Sequence, residues 1–295
     1  MERLTAKDFS PELLGVFDQY VHGFIDRRGF LERASKYVAA PMTAAVALDL
    51  LSPKFAEAQQ VAKDDKRIKV ETVEIESPKG YGRIKAYVAK PANATGKLAT
   101  VLVIHENRGL NPHIEDIARR LAVDNFLAVA PDALTPLGGY PGTEDQAREL
   151  FPKLDQAKTR EDFIAATHYA RTRPDSNGKI GAVGFCYGGG MVNFLATRVP
   201  ELAAGVAFYG GGAPIDEVKN IKATMLIHHG GNDKRLVDAW PAYEEALKAN
   251  NIKYEGYVYP NAEHGFNNDT TPRYDAATAK LAWTRTIDLF NKTLR

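Results

Sequence analysis

After residue 60, apolar runs the length of a β-strand alternate with stretches whose apolar positions recur at helical spacing. The alternating stretches 69–77 and 82–90 are separated by Pro78 and Gly80, a pattern that predicts an antiparallel strand pair. Further strands are predicted at 99–106, 126–131, 179–185, 203–210, 223–230 and 253–260. Helices are predicted at 111–124, 144–172, 187–199, 237–250 and 271–294. Strands alternating with helices predict an α/β fold, with a mostly parallel sheet covered by helices on both faces.

Residues 1–60 differ in character from residues 61–295, so we expect an N-terminal helical extension followed by one large domain. A helix is predicted to begin at Ser10, which can cap it, with Pro11 at the first helical position. Apolar residues then recur at helical spacing as far as Val21.

The same N-terminal segment carries a pair of arginines, Arg27 and Arg28, in a setting that resembles the twin-arginine export motif. A mild apolar stretch follows, and residues 56–58 resemble an A-x-A cleavage site, which predicts a mature protein that begins near Gln59. The alternative is a retained helix that packs on the main domain or on a partner subunit. Asp49 interrupts the apolar stretch and favours that alternative, and with it a cytoplasmic protein.

Composition narrows the classes of function. Of the 295 residues, 44% are hydrophobic and 25% are charged, with a formal net charge of +1, as in a soluble globular protein. This charge balance favours neither nucleic acid nor an anionic membrane as a partner. No apolar run reaches the ~18 residues of a membrane span, so we expect no membrane insertion. The expected partner is a small-molecule substrate, and a homodimer is left open.

The chain has a single cysteine, Cys186, which excludes an internal disulfide, a cysteine-based zinc site and a C-x-x-C redox pair. His228 and His229 are adjacent on a predicted strand, so their side chains point to opposite faces and make a poor metal-binding pair. We therefore expect no metal and no cofactor.

Polar and reactive residues follow four of the predicted strands. In chain order they are Glu106, Asn107 and Arg108, then Cys186, then Asn232 and Asp233, and finally Asn261, Glu263 and His264. Because the carboxyl ends of parallel strands meet at one edge of a sheet, we expect these side chains to lie around one site.

Residues 184–188 fit the pattern G-x-C-x-G, where many hydrolases carry G-x-S-x-G. Cys186, Asp233 and His264 follow the chain order nucleophile, acid and base of an α/β-hydrolase triad. The thiolate is the nucleophilic form of cysteine, His264 can take and return its proton, and Asp233 can orient the imidazole. A cysteine between glycines is also often buried and inert. A thiol redox sensor would need a low thiol pKa but neither His264 nor Asp233.

Two backbone N–H groups are expected to form an oxyanion hole beside this triad. Tyr187 directly follows the cysteine at the start of a predicted helix, and Asn107 follows the strand 99–106. The positive end of the helix would also favour a thiolate at Cys186.

These residues lie in four motifs: "HENRGLNPHIEDIARRLA", "SNGKIGAVGFCYGGG", "GGNDKRL" and "EHGFNN". In their order and spacing, about residues 66–295 resemble the dienelactone hydrolase family, which includes the carboxymethylenebutenolidases. The resemblance implies an α/β-hydrolase fold, a Cys-His-Asp triad and an acyl-enzyme cycle that opens lactones or esters. It also implies that Glu106 contacts the resting thiol and helps convert it to thiolate. The alternatives for Glu106 are a solvated loop carboxylate and an ion pair with Arg108.

The sequence departs from this family where two arginines hold the substrate carboxylate. No arginine follows the strand that ends in "PD", and Asn267 and Asn268 stand after the histidine. A carboxylated dienelactone is therefore in doubt as a substrate. Arg108 is a candidate replacement cation or a structural partner for Asp132, and Arg273 is a further candidate.

Tyr140 and Tyr209 are predicted either to line the substrate pocket or to be ordinary packing residues. Lactones and esters share the same acyl chemistry, so a broad thiol-dependent carboxylesterase or thioesterase is the first alternative function. A non-catalytic binding protein of the same fold is the second, and the complete triad argues against it.

Overall fold

An eight-stranded sheet forms the centre of the structure, a computed structural model that describes residues 4–295; residues 1–3 of the N-terminal segment lie outside the described residues. The strands are β1 (Ile68–Ser77), β2 (Gly82–Pro91), β3 (Leu98–Ile104), β4 (Leu127–Pro131), β5 (Ser176–Phe185), β6 (Leu202–Phe208), β7 (Thr224–Gly230) and β8 (Tyr254–Tyr259). They lie in the order β1-β2-β4-β3-β5-β6-β7-β8. Strand β2 is antiparallel to β1 and β4, and every other neighbouring pair is parallel. The predicted antiparallel pair and the mostly parallel sheet are confirmed, and the structure places the pair at one edge of the sheet.

Helices cover both faces of this sheet. In the main domain they are α5 (Pro112–Val123), α6 (Glu144–Leu150), α7 (Gln156–Thr172), α8 (Tyr187–Arg198), α9 (Lys234–Ala249) and α10 (Ala276–Leu294). Helices α5 and α10 bury residues such as Ile117 and Phe290 on one face. Helices α7 and α8 bury Phe163 and Leu195 on the other face. The sheet is therefore packed between two apolar cores. The predicted site residues lie at the carboxyl ends of its strands.

The single helix predicted over residues 144–172 is wrong, because the structure divides this stretch into α6 and α7. A short 3-10 turn, Phe151–Lys153, separates them and contains Pro152. Proline lacks the N–H that an α-helix needs and its ring displaces the preceding turn. Asp155 then caps α7 by accepting hydrogen bonds from the N–H groups of Ala157 and Lys158.

Within residues 4–60, the N-terminal segment contains four α-helices: α1 (Pro11–Val21), α2 (Arg27–Ala34), α3 (Ala44–Leu51) and α4 (Phe55–Ala58). They enclose an apolar cluster of their own, in which Phe17, Phe30 and Leu48 are buried. Ser10 Oγ accepts a 3.2 Å hydrogen bond from Leu13 N–H, so the cap predicted for the first helix is confirmed.

Helix α2 begins at Arg27, and the guanidinium of this residue lies 2.8 Å from the carboxylate of Asp145 on α6. The N-terminal segment is thus in contact with the main domain through its own helices. No helix in residues 4–295 is both long enough and apolar enough to span a bilayer.

Candidate active site

Cys186 stands on the sharp turn between β5 and α8. Its backbone has φ 53° and ψ −111°, a conformation that side-chain-bearing residues rarely adopt. The flanking glycines make this turn possible. A Cβ at Gly184 would lie 2.1 Å from the carbonyl oxygen of Gly188, and one at Gly188 would lie 2.2 Å from that of Ile104. The predicted strand-to-helix turn is present, and it projects the thiol at the carboxyl edge of the sheet.

His264 and Asp233 meet at the ends of neighbouring strands. Asp233 follows β7 and caps α9, while His264 lies in the loop after β8. His264 Nδ1 is 2.5 Å from Asp233 Oδ2, and both side chains are buried. A carboxylate at Nδ1 holds a proton on that nitrogen, so Nε2 is the nitrogen that can accept and donate a proton.

A second histidine, which sequence reasoning did not single out, reaches the same thiol from the N-terminal segment. His22 directly follows α1, and its Nε2 lies 3.9 Å from Cys186 Sγ. Its ring packs edge-on against that of His264, with centroids 4.6 Å apart. The only local signal was the spacing of Asp18 and His22, four residues apart on a predicted helix.

Charges around Cys186 favour the thiolate. Burial raises the pKa of its thiol, but the positive charges of His264 and His22 outweigh burial and hold this pKa well below its usual range. Burial lowers the pKa of His264, but the thiolate and the hydrogen bond to Asp233 raise it to about 9. Burial raises the pKa of Asp233, but the hydrogen bond with His264 leaves it lowered. Thiolate, imidazolium and carboxylate are therefore the favoured forms.

A cavity of about 460 Å³ opens in front of Cys186. The residues expected to supply the oxyanion hole, Asn107 and Tyr187, both line it. Tyr187 is the first residue of α8, so its N–H has no acceptor within the helix. The side-chain amide of Asn107 donates to the carbonyl of Val21 at 3.0 Å.

Arginines that sequence reasoning did not select also line this cavity. They are Arg160, Arg198 and Arg235. Arg198 lies 2.5 Å from Glu217, another lining residue. Arg160 lies over the Phe194 ring, 5.1 Å from its centroid. Three arginines on three different helices, α7, α8 and α9, carry no local motif, so only their position in the fold connects them with the site.

Arg108 does not line this cavity. It is 5% exposed and donates 2.9 Å hydrogen bonds to the carbonyls of Val21 and Asn107, with Glu144 at 3.8 Å. The partner considered for it, Asp132, accepts instead from backbone N–H groups of the loop that follows β3 and of its own loop. The structure thus places Arg108 as a support for the end of α1.

The remaining residues predicted from the sequence make contacts both near the triad and away from it. Glu106 Oε2 accepts a 3.2 Å hydrogen bond from Asn268. Tyr209 lines the cavity, and its ring lies 5.0 Å from that of His264. Tyr140 donates to Glu144 at 3.0 Å and belongs to the surroundings of Arg108. Arg273 Nη1 lies 3.4 Å from Asp18 Oδ1.

The ligand atoms of His22, Cys186 and His264 lie within 4.8 Å of one another. Two imidazoles and one thiolate are ligands suited to a zinc-class cation. Each histidine also has a carboxylate at its second ring nitrogen, Asp18 for one and Asp233 for the other, an arrangement common among metal-binding histidines. This set has the chemistry to hold such a cation, and two of its members, Cys186 and His264, also belong to the predicted triad.

Comparison with known proteins identifies the family. The model described as "Dienelactone hydrolase family" matches residues 84–294. The chain belongs to the dienelactone hydrolase family. The family indicated by the sequence motifs is confirmed, and this dienelactone hydrolase family member is a hydrolase with the α/β-hydrolase fold.

Individual relatives support the assignment of this hydrolase to the family. A Yersinia pestis protein named "Putative carboxymethylenebutenolidase" is 32% identical over 229 residues, which cover 73% of this chain and 86% of that protein. The Escherichia coli K12 "Putative hydrolase fragment YghX" is 49% identical over 114 residues, which cover 39% of this chain and 97% of that protein. The crystal structure of a "Putative Dienelactone Hydrolase" from Klebsiella pneumoniae has a TM-score of 0.66 and 31% identity, and the match covers 76% of this chain and 99% of that one. A second family model, described as YqhI-like, matches residues 1–39.

Proposed function

We propose that this hydrolase opens a small lactone or ester through an acyl intermediate on Cys186. The observation that carries the proposal is the convergence of Cys186, His264 and Asp233 at one edge of the sheet, with the 2.5 Å contact between His264 and Asp233. The thiolate is the form in which cysteine attacks a carbonyl, and the surrounding charges favour it.

The proposed cycle uses one proton on His264. The Cys186 thiolate attacks the carbonyl carbon, the C–O bond of the ester breaks, and the leaving alkoxide takes the proton from His264 Nε2. The neutral imidazole then removes a proton from water as that water attacks the thioester. The C–S bond breaks, the carboxylic acid is released, and the thiolate is restored. Asp233 holds the imidazole in the required tautomer and stabilises its charged form.

The N–H groups of Tyr187 and Asn107 are proposed to receive the developing oxyanion, because both residues line the cavity in front of the thiol. Glu106 is proposed to help switch the thiol to thiolate when substrate arrives. Its hydrogen bond to Asn268 places the carboxylate beside the loop that carries His264. Glu106→Gln should therefore lower both turnover and thiol reactivity, and unchanged values of both would contradict this role.

The proposed substrate class follows from the size and charge of the cavity. A volume of about 460 Å³ suits a small ester or lactone. Arg108 is occupied by the end of α1, so an anionic substrate group would meet Arg160 or Arg235 in the cavity wall instead. A substrate panel that pairs a neutral aryl ester with a carboxylated dienelactone distinguishes a general carboxylesterase or thioesterase from a lactonase of anionic substrates.

The deciding experiment combines turnover with intact mass. The wild type and Cys186→Ala are incubated with both substrates, and the wild type is quenched during turnover. We expect an acyl mass on the wild type and no turnover by Cys186→Ala, with near-ultraviolet circular dichroism confirming its fold. Retained turnover in the folded variant, or rapid wild-type turnover without an adduct on a peptide containing Cys186, would refute the thiol mechanism.

A further inference from the structure

We propose that the N-terminal segment is a working part of the active site, and that its Asp18–His22 pair supplies a second charged histidine to the Cys186 thiolate. This inference rests on the proposed thiol mechanism and adds a catalytic residue to it. His22 and Cys186 are 164 residues apart in the chain, and their side chains are in contact at 3.9 Å.

The hydrogen bonds of His22 determine which form of the imidazole fits. Nδ1 lies 2.9 Å from the carbonyl oxygen of Asp18 and 3.2 Å from its carboxylate, and both of these groups only accept. Nδ1 therefore carries a proton. Nε2 faces the sulfur of Cys186, so a hydrogen bond to a thiolate requires a second proton there. When Cys186 is a thiolate, both ring nitrogens therefore face acceptors and the imidazolium is the form that pairs with it; the C-terminal end of helix α1 also favours a cation at this position.

The main domain holds this histidine in place from two sides. The carbonyl of Val21, next to His22, accepts hydrogen bonds from Asn107 Nδ2 at 3.0 Å and Arg108 Nη2 at 2.9 Å. Arg273 Nη1 lies 3.4 Å from Asp18 Oδ1. Asn107 and Arg108 belong to the loop after β3, and Asn107 is the candidate oxyanion donor. Arg273 belongs to the loop after β8, which also carries the candidate base His264. The two loops of the active site therefore position α1 as well.

The charged groups near the sulfur are of both signs, and the two histidines are the ones that most strongly favour a thiolate. The groups that act on Cys186 or its neighbours are His22, His264, Arg108, Glu106 and Tyr209. Burial lowers the pKa of His22, but its hydrogen bonds to Asp18 and Cys186 and their charges raise it to about 10. Burial raises the pKa of Asp18, but His22, His264 and Arg273 hold it below its usual range. The carboxylate and carbonyl of Asp18 thus favour the charged form of His22 from the side of the ring that faces away from the sulfur.

This arrangement separates two tasks in the cycle. His264 must lose its proton to the leaving group and then act as a base, so its charge changes during each turnover. His22 keeps its proton throughout and stabilises the sulfur anion, both before attack and when the thioester breaks. A second fixed cation therefore keeps Cys186 ionised while His264 is neutral, and makes the thiolate a better leaving group in deacylation.

The test measures the thiol itself as well as turnover. Rates of alkylation of Cys186 by iodoacetamide are recorded against pH, with a chelator present so that bound metal does not mask the sulfur. The variants are His22→Gln, His22→Ala and Asp18→Asn, and the matched control is His168→Ala, an exposed histidine on α7. We expect the midpoint of the alkylation profile to rise by at least about one pH unit in the His22 variants, a tenfold loss of thiolate below that midpoint. We expect a smaller rise in Asp18→Asn and none in the control.

An alkylation profile for folded His22→Gln that matches the wild type would refute the inference. Hydrogen exchange of α1 shows whether the helix stays docked. If the helix detaches in His22→Ala, His22→Gln and Asp18→Asn decide the outcome, because both side chains retain polar groups of similar size. The proposed thiol mechanism is judged separately by the acyl adduct on the wild type. An adduct with wild-type alkylation in the variants contradicts only the role of His22, whereas absence of the adduct contradicts the mechanism itself.

Discussion

Arg108 donates a 2.9 Å hydrogen bond to the carbonyl of Val21, so a side chain that follows β3 holds the last residue of helix α1. The two residues are 87 positions apart in the chain. This contact joins the N-terminal segment to the loop that carries Asn107. It also accounts for the deep burial of an arginine that, by its sequence position alone, would be assigned to substrate binding.

Arg108→Ala is expected to destabilise the protein and to loosen α1. The substitution removes one hydrogen bond to the Val21 carbonyl and the cation beside the partly buried carboxylate of Glu144, a loss of about 2 kcal/mol. Urea unfolding measures the loss, and hydrogen exchange measures the opening of α1. The matched control is Arg83→Ala, whose side chain is 58% exposed and pairs with Glu76 at the surface, where less than about 1 kcal/mol is expected. Equal losses in the two variants would contradict the supporting role of Arg108.

The pH dependence of kcat/KM should be bell-shaped and should report on the free enzyme. On the acid side, kcat/KM rises as Cys186 loses its proton, at a pH below the ~8.5 of an ordinary thiol. On the alkaline side, kcat/KM falls near pH 9, because His264 then loses the proton that the leaving alkoxide needs. The two limbs belong to the coupled pair rather than to either residue alone. A profile that keeps rising past pH 10 would show that a proton on His264 is not required.

Tyr209→Phe is expected to stabilise the fold by about 1 kcal/mol. Within the described part of the chain, the buried hydroxyl of Tyr209 has no hydrogen-bond partner, and a buried unpaired polar group costs free energy. Tyr243→Phe is the matched control. The Tyr243 hydroxyl donates to Asn193 at 3.1 Å, so its removal should cost about 1 kcal/mol. Urea unfolding of both variants measures the change in the free energy of unfolding, expected to be a gain for Tyr209→Phe and a loss for Tyr243→Phe. A loss of stability in Tyr209→Phe would indicate a partner for its hydroxyl.

Gly188→Ala should disrupt the turn that presents Cys186. Its methyl group would lie 2.2 Å from the carbonyl oxygen of Ile104, which belongs to the neighbouring strand β3 and has little freedom to move. We expect a loss of about 3 kcal/mol and a thiol that is misplaced for attack. Gly190→Ala, two residues later in α8, is the control, because the nearest atom to its added methyl group is 3.7 Å away. In a helix, alanine is favoured over glycine by about 1 kcal/mol, so this variant should unfold at a higher urea concentration.

The sequence alone determined the fold class and the local setting of three chemically reactive residues. Strand periodicity and helical spacing are short-range signals, and they sufficed to place Cys186, Asp233 and His264 after three of the strands, β5, β7 and β8. The carboxyl ends of parallel strands lie at one edge of a sheet, so residues that directly follow such strands are expected to lie close together. The one helix predicted over 144–172 was wrong because its apolar spacing masked Pro152 and the capping residue Asp155.

Only the tertiary structure decided what the N-terminal segment does at that edge. His22 meets Cys186, and Arg108 meets Val21, across intervals that no local periodicity records. Such contacts depend on how one packed unit docks against another, and on which buried charge finds which partner. An arginine or a histidine looks the same in the sequence whether it faces solvent, substrate or a helix end. Burial and the geometry of the docked helix assign each of them its role.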